Sequence, residues 1–326
     1  MEMIIVFYKE IHVKIAFAGK GGSGKTTLAA LFARFLAEAG APVVAIDADI
    51  NQHLGVALGL DEAAAASVPA LGAHMHDIKE YLRGTNPLIQ SAKDMVKTTP
   101  PGRGSRLLRV LGDDPIHSHL SRDVNGVRLM VTGPFDEADL GVACYHSKSG
   151  AAELYLSHLV DHDEEYVVVD LTAGADSFAS GMFTRFDLTF LVVEPTRRGV
   201  AVYRQYRDRS AGHQVALAVV GNKITGPEDV AFLRVELGDA LVGCFAYSGY
   251  VRTMDQRRRP SGPGGLRCLE PANLDVLATL RAAADARMKD WDLYQRHAVE
   301  FHLKNARARG TAELESQIDP EFTHAH

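Results

Sequence analysis

The stretch that decides the fold is GKGGSGKTT, Gly19–Thr27. Its Gly19, Gly24, Lys25 and Thr26 fit G-x-x-x-x-G-K-[ST]. An apolar run, VKIAFAG (Val13–Gly19), precedes it. A helical pattern follows, with apolar residues at Leu28, Leu31, Phe32, Phe35 and Leu36 and a terminal Gly40. Strand, glycine-rich turn and helix form the setting in which backbone N–H groups close on phosphate oxygens, and the helix N-terminus adds the positive end of its dipole. Gly19, Lys20, Gly21, Gly22, Ser23, Gly24, Lys25, Thr26 and Thr27 are therefore expected to cradle the phosphates of a nucleotide. Lys25 should reach the β- and γ-phosphates and Thr26 should ligate Mg²⁺. One lysine is enough for this, so Lys20 needs a second explanation.

Outward from the loop, apolar β-branched runs recur at PVVAID (Pro42–Asp47), VRLMVTG (Val127–Gly133), EYVVVDLT (Glu165–Thr172), LTFLVVEPT (Leu188–Thr196), QVALAVVGNK (Gln214–Lys223) and ALVGCFAY (Ala240–Tyr247). Several are nearly continuous in apolar residues, as strands covered on both faces are. Helical patterns lie between them. The alternation predicts an α/β fold with a largely parallel central sheet and helices on both faces. Residues 13–256 are read as one P-loop domain, and 257–326 as a linker and a small helical C-terminal appendage. The linker opens with RRRPSGPGG, and WDLYQRHAVEFHLKNARAR (Trp291–Arg309) carries a helical stripe expected to pack on the domain or on a partner. The interval from about 83 to 125, rich in Pro, Gly and Arg, breaks the rhythm and reads as a long, functional or mobile loop.

Two further strands end in acids. In an open parallel sheet, ligands sit beyond the carboxyl ends of the strands. Asp170, in VVVDLTAG, is the expected Mg²⁺-side carboxylate; Asp47, in VVAIDADIN, lies nearer the metal, and Asp49 is placed to orient an attacking water. Each is also the kind of residue that caps a helix or turn. Gly174 is a candidate hinge near the γ-phosphate. Asn222 and Lys223, in VVGNK, end another strand where a carboxamide can meet a purine edge. No aspartate follows them in the N-K-x-D pattern that reads guanine, which favours ATP over GTP.

Composition excludes several classes. Apolar residues make up 46% of the 326, enough for a core, and the net charge of −6 does not mark a general nucleic-acid binder. Cys144, Cys244 and Cys268 form no close pair, which points to a reducing compartment and so to the cytoplasm. No apolar run approaches the roughly 18 residues of a membrane span. The first twelve residues read as an extra strand or a start-site extension rather than a signal peptide.

With KGGSGKT, DADIN, VVVDLTAGADSF, EPTRRGV and VGNK in hand, the chain resembles the deviant-Walker-A P-loop ATPases, the MinD/ParA/nitrogenase-iron-protein group, over about residues 13–247. That resemblance implies ATP hydrolysis by a nucleotide-bridged homodimer, in which Lys20 of each subunit reaches the partner's phosphates as an arginine finger does. Within the group, the order VTGPFDEADLGVACYHSKSG, YVVVDLTAGADSF, LVVEPTRRGV is most similar to the CooC-type accessory ATPases that help insert nickel into carbon monoxide dehydrogenase. Those carry Cys-x-Cys where this chain has Cys144-Tyr145-His146. The resemblance implies that two copies of Cys144 and His146 bind one Zn²⁺ or Ni²⁺ across a dimer interface; thiolate and imidazole suit both ions. No cysteine lies in DLTAGADSF, so an iron–sulfur reductase does not fit.

The expected function is therefore a dimeric, Mg²⁺-dependent ATPase switch, cycling ATP to ADP and acting as a metallochaperone-like accessory protein on a protein client. The alternative is a ParA/MinD-like positioning or scaffold ATPase that recruits a protein partner. Other candidates are weaker. His74, His76, His117 and His119 read as polar loop histidines with some metal-binding potential. Lys93, Lys97, Arg103, Arg106 and Arg109 either face an acidic partner or form a solvated surface. Arg252 and Arg257–Arg259 either approach nucleotide or solubilise the linker.

Overall fold

All seven apolar runs form strands. The computed structural model describes residues 13–134, 145–161, 164–172, 178, 180–256 and 265–324. The strands are β1 (Val13–Gly19), β2 (Val43–Ala48), β3 (Leu108–Arg109), β4 (Arg122–Val124), β5 (Val127–Val131), β6 (Leu159–Val160), β7 (Tyr166–Leu171), β8 (Leu188–Val193), β9 (Leu217–Ile224) and β10 (Leu241–Ala246). The helices are α1 (Lys25–Glu38), α2 (Leu54–Leu58), α3 (Glu62–Ala66), α4 (Met75–Arg83), α5 (Pro115–Leu120), α6 (Tyr145–His158), α7 (Arg197–Ser210), α8 (Pro227–Leu237), α9 (Gly249–Gln256), α10 (Pro271–Asp285) and α11 (Trp291–Arg309).

Eight strands make one sheet in the order β10-β9-β8-β1-β7-β2-β5-β4. All its pairings are parallel except β4 with β5. Strand β1 lies inside the sheet between β7 and β8, so the loop that follows it emerges at the centre of the carboxyl edge. Its residues alternate between two cores. Ile15 and Phe17 pack under α1 and α10, while Ala16 and Ala18 face the side of α6 and α7. Phe17, Phe32 and Phe190 meet with ring centroids 5.3–6.2 Å apart. Burying each such ring contributes about 1.5–3 kcal/mol, so α1 is clamped against the strand that delivers the loop.

The 83–125 interval is not the long loop expected. It carries β3, α5 and β4 and buries Ile89, Met95, Leu108, Val110 and Ile116. Its polar residues find partners in the C-terminal appendage. Thr99 Oγ1 donates to Gln317 Oε1 at 2.9 Å, Thr98 Oγ1 meets His302 Nδ1 at 3.3 Å, and Arg103 pairs with Asp319 at 2.9 Å and Glu321 at 2.7 Å. For Arg103 the acidic partner is thus the chain's own tail. Lys97 likewise pairs with buried Glu153 at 3.5 Å, and Arg106 lies over the Tyr81 ring at 4.7 Å. His117 is buried rather than a polar loop residue, between Asp114 (2.7 Å) and the Tyr155 hydroxyl (2.6 Å).

The expected C-terminal helix is α11, which packs on the domain. Asp290 caps it by accepting from Leu293 N at 2.8 Å, and Gly310, at φ 68°, ends it. A buried charge network docks its leading end at the amino edge of the sheet. Lys14, fully buried at the start of β1, contacts Asp161 at 3.2 Å and lies 4.3 Å from the Tyr294 ring centroid; Lys289 pairs with Asp161 at 2.7 Å and with Asp187. Buried ions survive in a low-dielectric setting only when paired in this way. The leading end of α11 therefore sits at the edge opposite the phosphate loop. Among the described residues no helix is long and apolar enough to cross a membrane.

Candidate nucleotide-binding site

The phosphate loop is shaped by glycine geometry. Gly24 caps α1 at φ 91°, and a Cβ there would lie 2.2 Å from Asn222 Nδ2. A Cβ at Gly19 would lie 2.7 Å from the Val192 carbonyl oxygen of the neighbouring strand. Helix α1 has no side-chain cap and no acid in its first turn. Its N-terminal N–H groups are therefore left for an external anion, at the positive end of the dipole.

Around this loop the acids converge. Asp47 and Asp170 are register partners on β2 and β7. Thr26 Oγ1 donates to Asp170 Oδ2 at 2.6 Å, and Asp170 Oδ1 lies 3.8 Å from Lys25 Nζ, beyond hydrogen-bond distance. Lys25 Nζ donates instead to Asp49 Oδ2. Asp49 Oδ1 accepts from the Asn51 backbone and side chain, both at 3.0 Å. Asp47 accepts from Leu54 N at 2.8 Å and Asp49 N at 3.2 Å, so its carboxylate also shapes the loop after β2.

These contacts set the electrostatics. Burial works against the Lys25 ammonium, but Asp170 and Asp49 outweigh it and hold its pKa above the ordinary lysine value. Burial, helped by Asp49, pushes Asp170 up to about 7 despite the opposing Lys25 and Thr26. Burial and then Asp170 push Asp47 well above the carboxylate range. Carboxyls crowded like this, short of positive charge, suit a divalent cation. The Thr26 hydroxyl and the buried Asp170 Oδ1 fit Mg²⁺ as an oxygen-seeking ion.

A stability prediction follows from Asp170. Its carboxyl titrates near 7 when folded and near 3.8 when unfolded. Between these values the folded state holds a proton that the unfolded state has released, so stability falls as pH rises through the window and levels off above it. Asp170→Asn removes this penalty. In protein prepared without nucleotide it should raise stability by about 0.5–2 kcal/mol, more at pH 8 than at pH 5. Thermal melts of both proteins at the two pH values check it; a gain equal at both, or a loss at pH 8, contradicts it.

The other expected residues are placed as follows. Lys20 is exposed, and among the described residues no side chain pairs with its ammonium. Asn222 Nδ2 donates to the Ser23 carbonyl at 2.7 Å, and Lys223 Nζ donates to the Gly22 carbonyl at 2.6 Å and to Glu194 at 2.7 Å. Both residues brace the phosphate loop from β9. Arg252 bonds the Tyr247 hydroxyl at 3.2 Å. Gly174, Cys144, the side chain of His146 and Arg257–Arg259 lie outside the described residues. A cleft of about 540 Å³ opens beside the loop, lined by Gly21, Gly22, Lys25, Thr26, Asp49 and Lys223 on one side and by Val56, Leu60, Val251 and Met254 on another. The apolar wall and Gln52 escaped sequence reasoning. Gln52, at φ 51°, donates to the Asp49 carbonyl at 2.5 Å and to Thr132 Oγ1 at 3.2 Å, tying the loop after β2 to the end of β5. Its only signal was a position beside the DADIN motif.

Comparison with known proteins agrees with this geometry. Residues 14–113 match the CobQ/CobB/MinD/ParA nucleotide binding domain. The chain is 29% identical to the carbon monoxide dehydrogenase accessory protein CooC of Rhodospirillum rubrum, over 83% of its own length and 95% of that protein. It is 28% identical to an uncharacterized ATP-binding protein of Methanocaldococcus jannaschii, over 72% and 85%. Among solved structures it resembles a ParA family ATPase from Chlorobium tepidum, with a TM-score of 0.57 at 14% identity, covering 83% of this chain and 99% of that one. Residues 14–113 thus carry the CobQ/CobB/MinD/ParA nucleotide-binding domain, and the chain as a whole is similar to CooC in sequence and to a ParA family ATPase in fold.

Proposed function

We propose that this CooC-like P-loop ATPase is a Mg²⁺-dependent, ATP-hydrolysing dimeric switch that acts in the cytoplasm as a metallochaperone-like accessory protein in metalloenzyme maturation. One observation supports the switch above others: on a single loop, Lys25 is buried among acids while Lys20 is exposed and directed to no partner among the described residues. The similarity to CooC along most of both chains supports the accessory role.

The residues divide the work as follows. The loop N–H groups and the start of α1 bind the phosphates. Lys25 leaves Asp49 for the β- and γ-phosphate oxygens. Asp49, released from that pair, orients the attacking water. Thr26 and Asp170, with Asp47 behind them, would hold Mg²⁺, which would supply positive charge to the phosphates when bound. Lys20 of the second copy adds a cation as negative charge develops. Loss of the γ-phosphate removes what that lysine holds, and the dimer opens. Cys144 and His146 from both copies carry the Zn²⁺ or Ni²⁺ cargo for a protein client.

Equilibrium dialysis against Zn²⁺ and Ni²⁺ tests the cargo site. Cys144→Ser should weaken metal binding by at least about tenfold; unchanged affinity and stoichiometry reject the metallochaperone reading. Sedimentation with DNA, lipid vesicles or a client, with and without ATP, tests the other branch. ATP-dependent capture in the absence of metal supports a ParA/MinD-like positioning role instead.

A further inference from the structure

We propose a second metal site, formed by His213, His297 and Glu300, that holds a late first-row divalent ion of the Zn²⁺ kind and fastens the C-terminal helix to the sheet domain. It lies toward the amino edge of the sheet, away from the phosphate loop, and uses neither Cys144 nor His146. His213 sits in the short turn between α7 and β9, and His297 and Glu300 stand one turn apart on α11. One ligand atom from each of the three lies within 4.8 Å of the others. His213 Nδ1 is 3.7 Å from Glu300 Oε2.

The donor set is chemically specific. Two imidazoles and one carboxylate suit Zn²⁺ and its neighbours better than Mg²⁺ or Ca²⁺, which prefer oxygen alone. Tetrahedral bonds of about 2.0–2.1 Å put ligand atoms about 3.3 Å apart, so the three must close by roughly 1.5 Å or less. Glu300 has the freedom to do so, because its side chain is 41% exposed. His297 is buried, and the Thr184 backbone favours a proton on its ring. A proton held on one ring nitrogen leaves the other as the donor to the ion. Phe183 packs edge-on against His213 at 5.3 Å, and Phe301 lies 5.4 Å from it, which gives the site an apolar wall. A fourth position is left for water.

Two cations face the cluster. Lys304 takes Glu300 Oε1 at 2.6 Å, which leaves Oε2 toward the histidines. Arg185 lies behind His297, with Nη1 donating to the Tyr294 carbonyl at 3.3 Å.

The test uses the full chain carrying Cys144→Ser and His146→Ala, so that the cargo site and this one are read separately. Equilibrium dialysis against Zn²⁺ should still find one tightly held ion per chain, and Zn²⁺ should raise the thermal midpoint by joining α11 to the domain. Co²⁺ in place of Zn²⁺ should give the visible absorption of a four-coordinate site. Adding His213→Asn or Glu300→Gln should weaken Zn²⁺ binding by at least about tenfold and remove both signals. Both side chains are at least partly exposed, and an unchanged melting temperature without zinc verifies folding. No tight zinc in the starting double variant, or parent-like affinity in either the His213→Asn or the Glu300→Gln protein, overturns the proposal.

Discussion

Lys20→Ala is expected to lower ATP turnover by about 10³–10⁵-fold while nucleotide binding is largely retained. The loop's grip on phosphate comes from its own backbone, the start of α1 and Lys25, none of which depends on Lys20. What the variant lacks is the cation that a second copy supplies, so ATP-dependent dimerisation should disappear with turnover. Lys25→Ala should behave differently. Its ammonium is the one buried between Asp49 and Asp170, and removing it leaves crowded carboxylates facing an anionic ligand. Binding itself should then weaken strongly. Titration with a fluorescent ATP analogue, sedimentation with a non-hydrolysable one, and phosphate release measured on both variants separate the two roles. Equal loss of binding in both would sink the trans-lysine reading.

The second large effect concerns Asp49. The ion pair it forms with Lys25 must break for the lysine to reach phosphate. Asp49→Asn removes the charge that competes for Lys25, so ATP affinity should be equal to that of the parent or higher. The same change removes the group that orients the attacking water, and general-base contributions of this kind are worth about 10²–10⁴-fold. Turnover should fall by that factor while Kd does not rise. Single-turnover hydrolysis, with a separate measurement of ATP affinity, checks both halves. Weakened binding at normal turnover would mean that Asp49 serves the loop's structure and not the reaction.

Most of the fold was legible because its signals are local. Seven of the strands were marked by apolar β-branched runs, several of them nearly continuous, as strands buried on both faces are. The antiparallel edge strand β4, three residues long and partly exposed, carried no such signal. The 83–125 interval misled because its Pro and Gly content describes the local chain, whereas its order comes from residues some two hundred positions away, as with Thr98 and His302 or Arg103 and Asp319. His117 looked like a polar loop residue for the same reason: Tyr155, its partner, is on another element.

For the site the division is similar. The spacing from Gly19 to Thr27 by itself determined a phosphate loop between a strand and a helix, because glycine positions and the apolar period act within one turn of chain. Aspartates at strand ends were likewise visible, and a parallel sheet alone brings such ends to one edge. Only the tertiary structure decided which acid meets which cation. Thr26 bonds Asp170, Lys25 pairs with Asp49, and Asn222 and Lys223 reach back to brace the loop. It also placed His213 beside His297 and Glu300. Such pairings depend on strand order and on how elements pack. Neither is written in the neighbourhood of any single residue, because hydrogen bonds and ion pairs act over a few ångströms in space regardless of separation along the chain.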